Sequence, residues 1–351
     1  MAASCLPRPC WLLAAASLAV ALGLYYAGGP SSWEAAPPPP RSPPRELHVG
    51  SVLARAEGRA GLVWRAGAAL RSLAGAGAPR PGTALVLHLL TDAQSRAAAE
   101  QLARQALHGA PFPHKVVFHD VEPLVERLLP VIGPMQELFS AGAGTYYSDA
   151  IFFLSVAMHR IMPAEISRLI LVDLDVEYRA SIQELFEEFD RFPEGAVIGI
   201  AHEMQPVYRH LFWQFRKEHP GTRVGDPPPE GLPGFNSGVL LLDLPAMRAS
   251  GLYNGLLEEG PLRALAQRFR FRGHLGDQDF FTLAGMEHPG LFHRLPCAWN
   301  RQLCTWWRLH GYQDVFEHYF RCDQAPVKLF HGNCNTPIPQ EEPPRGAGGG
   351  G

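Results

Sequence analysis

The run Arg168-Leu169-Ile170-Leu171-Val172 passes directly into Asp173-Leu174-Asp175. Alternation at a strand end sends residues two apart to the same side, so both carboxylates can face one ligand. Paired carboxylates there suit a hard divalent cation that takes oxygen donors, such as Mn2+ or Mg2+. A cation so held neutralises a diphosphate and stabilises it as a leaving group. Asp-x-Asp alone is ambiguous, because acidic residues after strands often cap helices. Three further segments add to it. Gly234-Phe235-Asn236-Ser237-Gly238 reads as a glycine-flanked polar turn before the apolar run Val239 to Leu244. Small residues let a ligand approach the backbone, and the Asn236 amide can bond a hydroxyl. Gly276-Asp277-Gln278-Asp279 opens a helix whose free N–H groups favour anionic or polar ligands. Finally, His331 and Gly332 follow the short apolar run that starts at Lys328. Imidazole is a good third ligand to manganese, and glycine permits a tight turn around phosphate.

These residues need a scaffold. Ala84 to Leu90 reads as a buried strand, closed by Thr91-Asp92 and followed by an alanine-rich helix to Leu107. Lys115 to His119, Arg168 to Val172, Ala196 to Ala201 and Gly238 to Leu244 are further strands. Thr145 to Met162 has apolar residues at helical spacing and stops at Pro163. Ser181 caps a helix over Ile182 to Phe189, with Glu184 in capping-box position. Strands alternating with helices predict an α/β sandwich with a mixed, mostly parallel central sheet. In such sheets ligands bind beyond the carboxyl ends of the strands, where the acidic and histidine motifs fall.

Composition limits the alternatives. The chain has 351 residues, 46% of them hydrophobic, so it is too apolar for disorder and too long for a disulfide-stapled miniprotein. Lys plus Arg total 31 against 34 Asp plus Glu, which argues against a nucleic-acid partner. From Cys10 to Ala27 there is no charge, and as a helix this run reaches roughly 27 Å, near the lower limit for a bilayer. Residues 10–27 are read as a signal-anchor transmembrane helix behind a cytoplasmic tail, 1–9. A cleaved signal peptide ending near Ala19-Val20-Ala21 is the competing reading. Proline-rich 37–45 is a polyproline II spacer, and 28–81 reads as a lumenal stem. That leaves 82–337 as the catalytic domain and 338–351 as a disordered tail. Behind an anchor, Cys297, Cys304, Cys322 and Cys334 suggest two disulfides in an oxidising lumen. Three connectivities are open, with Cys297–Cys322 and Cys304–Cys334 preferred; a zinc site lacks any Cys-x-x-Cys spacing. Most histidines, including His88, His119, His202 and His288, read as ordinary core or surface groups. The acidic run Glu184, Glu187, Glu188 and Asp190 reads as a solvated helix face.

In order and spacing, Leu-Val-Asp173-Leu-Asp175, Phe235-Asn236-Ser237-Gly238-Val239, Asp277-Gln278-Asp279 and His331-Gly332 resemble glycosyltransferase family eight. Those are retaining enzymes with the GT-A fold, a Rossmann-like sandwich. The resemblance covers 82–337 and implies that Asp173, Asp175 and His331 bind Mn2+, with Mg2+ as the alternative. It implies UDP-sugar contacts from Thr91, Asp92, Asp173, Asn236, Ser237, Gln278, Gly332 and Asn333, and catalytic roles for Asp277 and Gln278. It further implies UDP-xylose as donor and, as acceptor, a xylose on O-glucosylated, monoxylosylated EGF-like repeats, joined through its 3-hydroxyl. The implied setting is the endoplasmic reticulum membrane, single-pass type II, with a homodimer left open. Trp213, Trp306 and Trp307 are candidate acceptor contacts, and Trp299 shares their aromatic character; core packing is the competing role for each. The chain departs from the family at Gly332-Asn333-Cys334-Asn335-Thr336-Pro337, which lacks the lysine that meets the phosphates; either another positive group, Lys328 or an arginine, substitutes, or the metal carries the phosphate charge by itself. A transferase of another UDP-hexose, a UDP-sugar hydrolase and a noncatalytic sugar-binding protein remain as other readings.

Overall fold

The computed structural model describes residues 45–140, 142 and 149–339. Seven strands form the main sheet: β1 (Arg45–Val52), β2 (Thr83–Thr91), β3 (His114–Asp120), β4 (Arg168–Val172), β6 (Ile198–His202), β7 (Phe235–Asp243) and β8 (Phe292–Arg294). Their order is β3-β2-β1-β4-β7-β6-β8. A second sheet joins β5 (Val176–Tyr178), β10 (Leu329–His331) and β9 (Arg301–Gln302) in the order β5-β10-β9. In the main sheet β7 runs antiparallel to both neighbours, and every other pair is parallel. The mixed, mostly parallel sheet is therefore as expected.

Alternation along the strands separates two hydrophobic clusters, one on each face. Leu169 and Leu171 of β4, with Leu240 and Leu242 of β7, enter one cluster. Ile170, Val172, Val239 and Leu241 enter the other. Strands buried on both faces read as continuous apolar runs, which is why these two were legible.

The first domain boundary needs correction. Residues 45–81 are not stem: β1 pairs with β2 over its whole length and with β4 through His48, Val49 and Gly50. Leu47 and Val49 are buried, and the helix α1 (Ala60–Ala74) packs Ala66, Ala69, Leu70 and Leu73 into the same cluster. The alanine- and glycine-rich composition hid an ordinary amphipathic helix. Residues 45–81 therefore belong to the same folded body as the strands after them. At the other end, Pro339 O accepts from Arg179 Nη2 at 2.9 Å, so 338–339 belong to the body and not to a tail.

Two local readings also change. Phe235 to Gly238 is the first part of β7 rather than a turn, with Phe235 and Asn236 in register with His202 and Ala201. The described part of the 145–162 segment is a 3-10 helix, Ala150–Ala157, followed by one α-turn, Met158–Ile161. Among the described residues no helix is long and apolar enough to cross a membrane. The predicted anchor at 10–27, the tail before it, residues 28–44 of the stem and residues 340–351 all lie outside the described residues.

Candidate active site

Strands β1 to β4 run parallel, and Asp173 lies one residue beyond the carboxyl end of β4. Because β7 is antiparallel to β4, its opening residues lie at that same end. The Asp173 N–H donates to Gly238 O at 3.0 Å. Strand β10 pairs with β5 so that His331 stands opposite Val176, next to Asp175 in the chain. Gly332 N–H then donates to Asp175 O at 2.7 Å. His331 Nε2 therefore lies 3.6 Å from Asp173 Oδ2 and 3.4 Å from Asp175 Oδ1. The three ligand atoms fall within 4.8 Å of one another. Two carboxylate oxygens and an imidazole nitrogen make a donor set that fits a divalent cation of the Mn2+ type.

Close approach of the imidazole depends on Gly238. A Cβ at that position would lie 2.3 Å from His331 Cε1 and 2.7 Å from Nδ1. The glycine in this motif thus makes room for the histidine.

Electrostatics favours a bound cation. Local desolvation, with the charge of Asp175, raises the Asp173 carboxyl, whose side chain nevertheless stays 59% exposed. Burial pushes Asp175 upward too, but the imidazole of His331 outweighs it and holds this carboxyl low. For His331 burial favours the neutral ring, yet the charges of Asp175 and Asp173 prevail and raise it. Like charges crowded together are relieved by a cation.

A second constellation continues from the first. Asp277 is the first residue of α5 (Asp277–Glu287; α2 is Arg96–Leu107, α3 Val121–Phe139 and α4 Glu259–Arg268). Its carboxylate accepts from Ser155 Oγ at 2.5 Å and Ser237 Oγ at 2.9 Å. Burial raises it to about 6. Gln278 Oε1 accepts from the Ser237 N–H at 3.3 Å, and Gln278 Nε2 donates to Glu203 Oε2 at 3.2 Å. Asp279 is structural: it accepts from Leu275 N–H at 2.7 Å and Tyr208 Oη at 3.0 Å. Asp173, Asp175, His331, Asn236, Ser237, Asp277 and Gln278 are thus joined by contacts into one site.

Other predicted residues fare differently. Thr91 is fully buried at the end of β2 with a hydroxyl that finds no partner among the described residues, while both Asp92 oxygens accept from backbone, Ser95 N–H at 2.7 Å and Arg55 N–H at 2.5 Å. Burial raises the Asp92 carboxyl, but these donors outweigh it and hold it low. Asn333 Oδ1 accepts from Leu303 and Cys304 N–H at 3.0 and 2.9 Å, so its oxygen braces the chain. Lys328 is bound to Glu184 Oε2 at 2.9 Å and lies 4.9 Å from the Trp299 ring centroid, which commits it away from the phosphate role. Trp299 is core; Trp213 and Trp306 are exposed, and Trp306 stacks on His310 with centroids 3.5 Å apart. Trp307 packs half-buried against His210 and Tyr312. Cys297 is bonded to Cys322 and Cys304 to Cys334, the preferred pairing.

Three site residues were missed. Glu203 is 4% exposed and burial raises it to about 7. It follows the apolar run ending at Ala201, the same signal that identified Asp173. Asn300 is fully buried between Asn236 and His331, with no sequence signal. Arg65 of α1 donates to Asn335 Oδ1 at 2.6 Å and its charge acts on Asp175. Reading α1 as stem concealed it.

The chain is 60% identical over 299 residues to Xyloside xylosyltransferase 1 of Mus musculus and 59% to that of Homo sapiens, covering 85% of this chain and 76% of each relative. Xylosyl- and glucuronyltransferase LARGE2 of Mus musculus is 30% identical over 254 residues, spanning 71% of this chain but 31% of that protein. The crystal structure of mouse Xyloside xylosyltransferase 1 in apo form superposes with a TM-score of 0.79 at 60% identity, over 84% of this chain and 100% of that one. The galactosyltransferase LgtC in complex with donor and acceptor sugar analogs gives 0.51 at 15% identity over 81% of this chain and 86% of its own, a likeness of fold alone. No protein-family model matches.

Proposed function

The chain belongs to the xyloside xylosyltransferase family and is a glycosyltransferase; from that premise we propose that it moves xylose from UDP-xylose, with retention, to the 3-hydroxyl of a xylose on O-glucosylated EGF-like repeats. The observation that carries this is the meeting of Asp173, Asp175 and His331 with the Ser237–Asp277–Gln278 cluster at the carboxyl ends of the sheet. This is the constellation on which the resemblance to retaining family eight rests. Asp173, Asp175 and His331 hold the divalent cation, Mn2+ in our reading, whose charge offsets that of the UDP diphosphate.

The protein's own groups do the rest. Arg65 supplies the positive group that the Gly332-Asn333 segment lacks; its support is its place beside that segment, where it donates to Asn335 Oδ1 at 2.6 Å. Ser237 faces the sugar hydroxyls, whereas the Asn236 amide, taken up by Gly238, Asn300 and Glu203, braces the site from behind; Thr91 is assigned to uridine. Asp277 is held by Ser155 and Ser237, which orients the start of α5 and with it Gln278. A retaining transfer needs a covalent carboxylate intermediate or attack on the face the leaving group vacates. The carboxylates beside Gln278 favour the second route. Asp277 is tied to two hydroxyls and Glu203 to two amides. The donor β-phosphate then takes the acceptor proton while Gln278 stabilises positive charge on the sugar. Lumenal residence in the endoplasmic reticulum behind the 10–27 anchor is part of the same reading, supported by two disulfides.

UDP release with and without a xylosyl-glucose acceptor, in Mn2+ or chelator, tests the proposal. Acceptor-dependent release that chelator abolishes is expected. Acceptor-independent release would indicate a hydrolase, and no release a binding protein. Faster turnover of UDP-glucose or UDP-galactose than of UDP-xylose would move the donor assignment.

A further inference from the structure

We infer that Asn300 and Glu203 are positioning residues: a buried chain of amides joins His331 to Gln278 and fixes the atom each presents to its ligand. The direction of every bond follows from backbone donors. Gly238 N–H donates to Asn236 Oδ1 at 3.1 Å, so Asn236 Nδ2 turns the other way and donates to Glu203 Oε2 at 3.1 Å. Because Asn236 Oδ1 is an acceptor, Asn300 gives it Nδ2 at 2.9 Å. That turns Asn300 Oδ1 toward His331 Nδ1, also at 2.9 Å. An amide oxygen can only accept, so Nδ1 carries a proton and Nε2 is the nitrogen aimed at Asp173 and Asp175.

The other branch is fixed in the same way. Ser237 N–H donates to Gln278 Oε1, so Gln278 Nε2 faces Glu203 Oε2, which accepts from both amides. Exposure is 0% for Asn300, 3% for His331, 4% for Glu203, 5% for Asn236 and 9% for Gln278. Water therefore does not compete for these bonds. Gln302 clamps the backbone on either side of Glu203: its Oε1 accepts from Met204 N–H and its Nε2 donates to His202 O, both at 2.9 Å. Metal-binding histidines are oriented by the partner of their other ring nitrogen, and here that partner is an asparagine linked to the catalytic amide.

This inference rests on the metal reading of Asp173, Asp175 and His331, and the experiment separates the two. Mn2+ affinity of the full chain is measured by calorimetry without nucleotide. Asn300→Leu is expected to raise the dissociation constant about 10–100-fold, while Asn300→Asp, which keeps an acceptor for Nδ1–H but loses the donor to Asn236, retains more of the affinity than Asn300→Leu. Equal affinity in Asn300→Leu and wild type overturns the inference, as does an Asn300→Asp variant as weak as Asn300→Leu. On the other branch, Glu203→Leu should lower kcat with little change in donor KM, and Glu203→Gln, which keeps one acceptor oxygen, should recover it. Loss of kcat of the same size in both Glu203 variants overturns that branch. If the leucine variants do not fold, 15N-histidine NMR of the Mg2+-loaded wild type decides. A slowly exchanging low-field Nδ1–H signal, absent in His331→Gln, supports the relay, and its absence from wild type overturns it. If wild type binds neither Mn2+ nor Mg2+, the metal reading falls, and the same signal in the metal-free chain judges the relay.

Discussion

A methyl group is enough to test the site at residue scale. Gly238→Ala would set a Cβ within van der Waals overlap of the His331 ring. The ring must shift, because the close atoms belong to a buried side chain fixed by Asn300. The expected cost is about 1–3 kcal/mol of stability, together with weaker Mn2+ binding; a chemical melt and calorimetry check both. Glu203 gives a pH signature. Burial raises its carboxyl to about 7 in the folded state, whereas the unfolded chain releases that proton near pH 4.5. Between those values the native state holds more protons, so this group's contribution favours folding at low pH and is lost as pH rises toward 7. In metal-free protein, Glu203→Gln should therefore lose less stability than wild type between pH 5 and pH 8. An unchanged slope would mean that Glu203 titrates normally. Arg65→Ala is expected to raise donor KM several-fold without weakening Mn2+ binding in the absence of nucleotide, since the charge removed acts on Asp175 and repels the cation rather than holding it.

Elements decide where the residues meet. Strand β7 runs against its neighbours, and that reversal brings Asn236, Ser237 and Gly238 to the carboxyl end of β4. A parallel β7 would carry them to the opposite edge. Strand β1 lies inside the sheet between β2 and β4. A chain begun at residue 82 would expose Leu85, Leu87 and Ile170, all of them buried now. Such a chain is expected to aggregate, whereas one begun at residue 45 should give a cooperative melt by circular dichroism. Leu47→Ala in the longer form should cost about 2–5 kcal/mol, as for other fully buried leucines. The Cys304–Cys334 bond ties the segment after β9 to the segment after β10, three residues beyond His331. Replacing both cysteines by serine should lower stability by about 2–4 kcal/mol.

At the scale of the whole molecule, two clusters of apolar side chains sandwich one sheet, and the polar residues of the site gather where β4, β6 and β7 meet. Sequence alone fixed much of this. Continuous apolar runs identify strands buried on both faces, and polar residues beside them mark the ligand edge: Asp173, Asp175 and His331 follow such runs, Asn236 precedes one and Gln278 opens a helix, and the fold brings the five together. Composition misled at 45–81, because alanine, glycine and arginine are common both to linkers and to helices that pack closely. What only the tertiary structure decided was long-range. Arg65 and Asp175, or Asn300 and Asn236, are far apart in the chain, and no local pattern encodes their meeting. Asp92 and Asn333 read as ligand contacts from sequence, and the fold adds that backbone N–H groups also bond their oxygens. A residue type states which bonds a side chain can make, and the fold determines which are still free for a substrate.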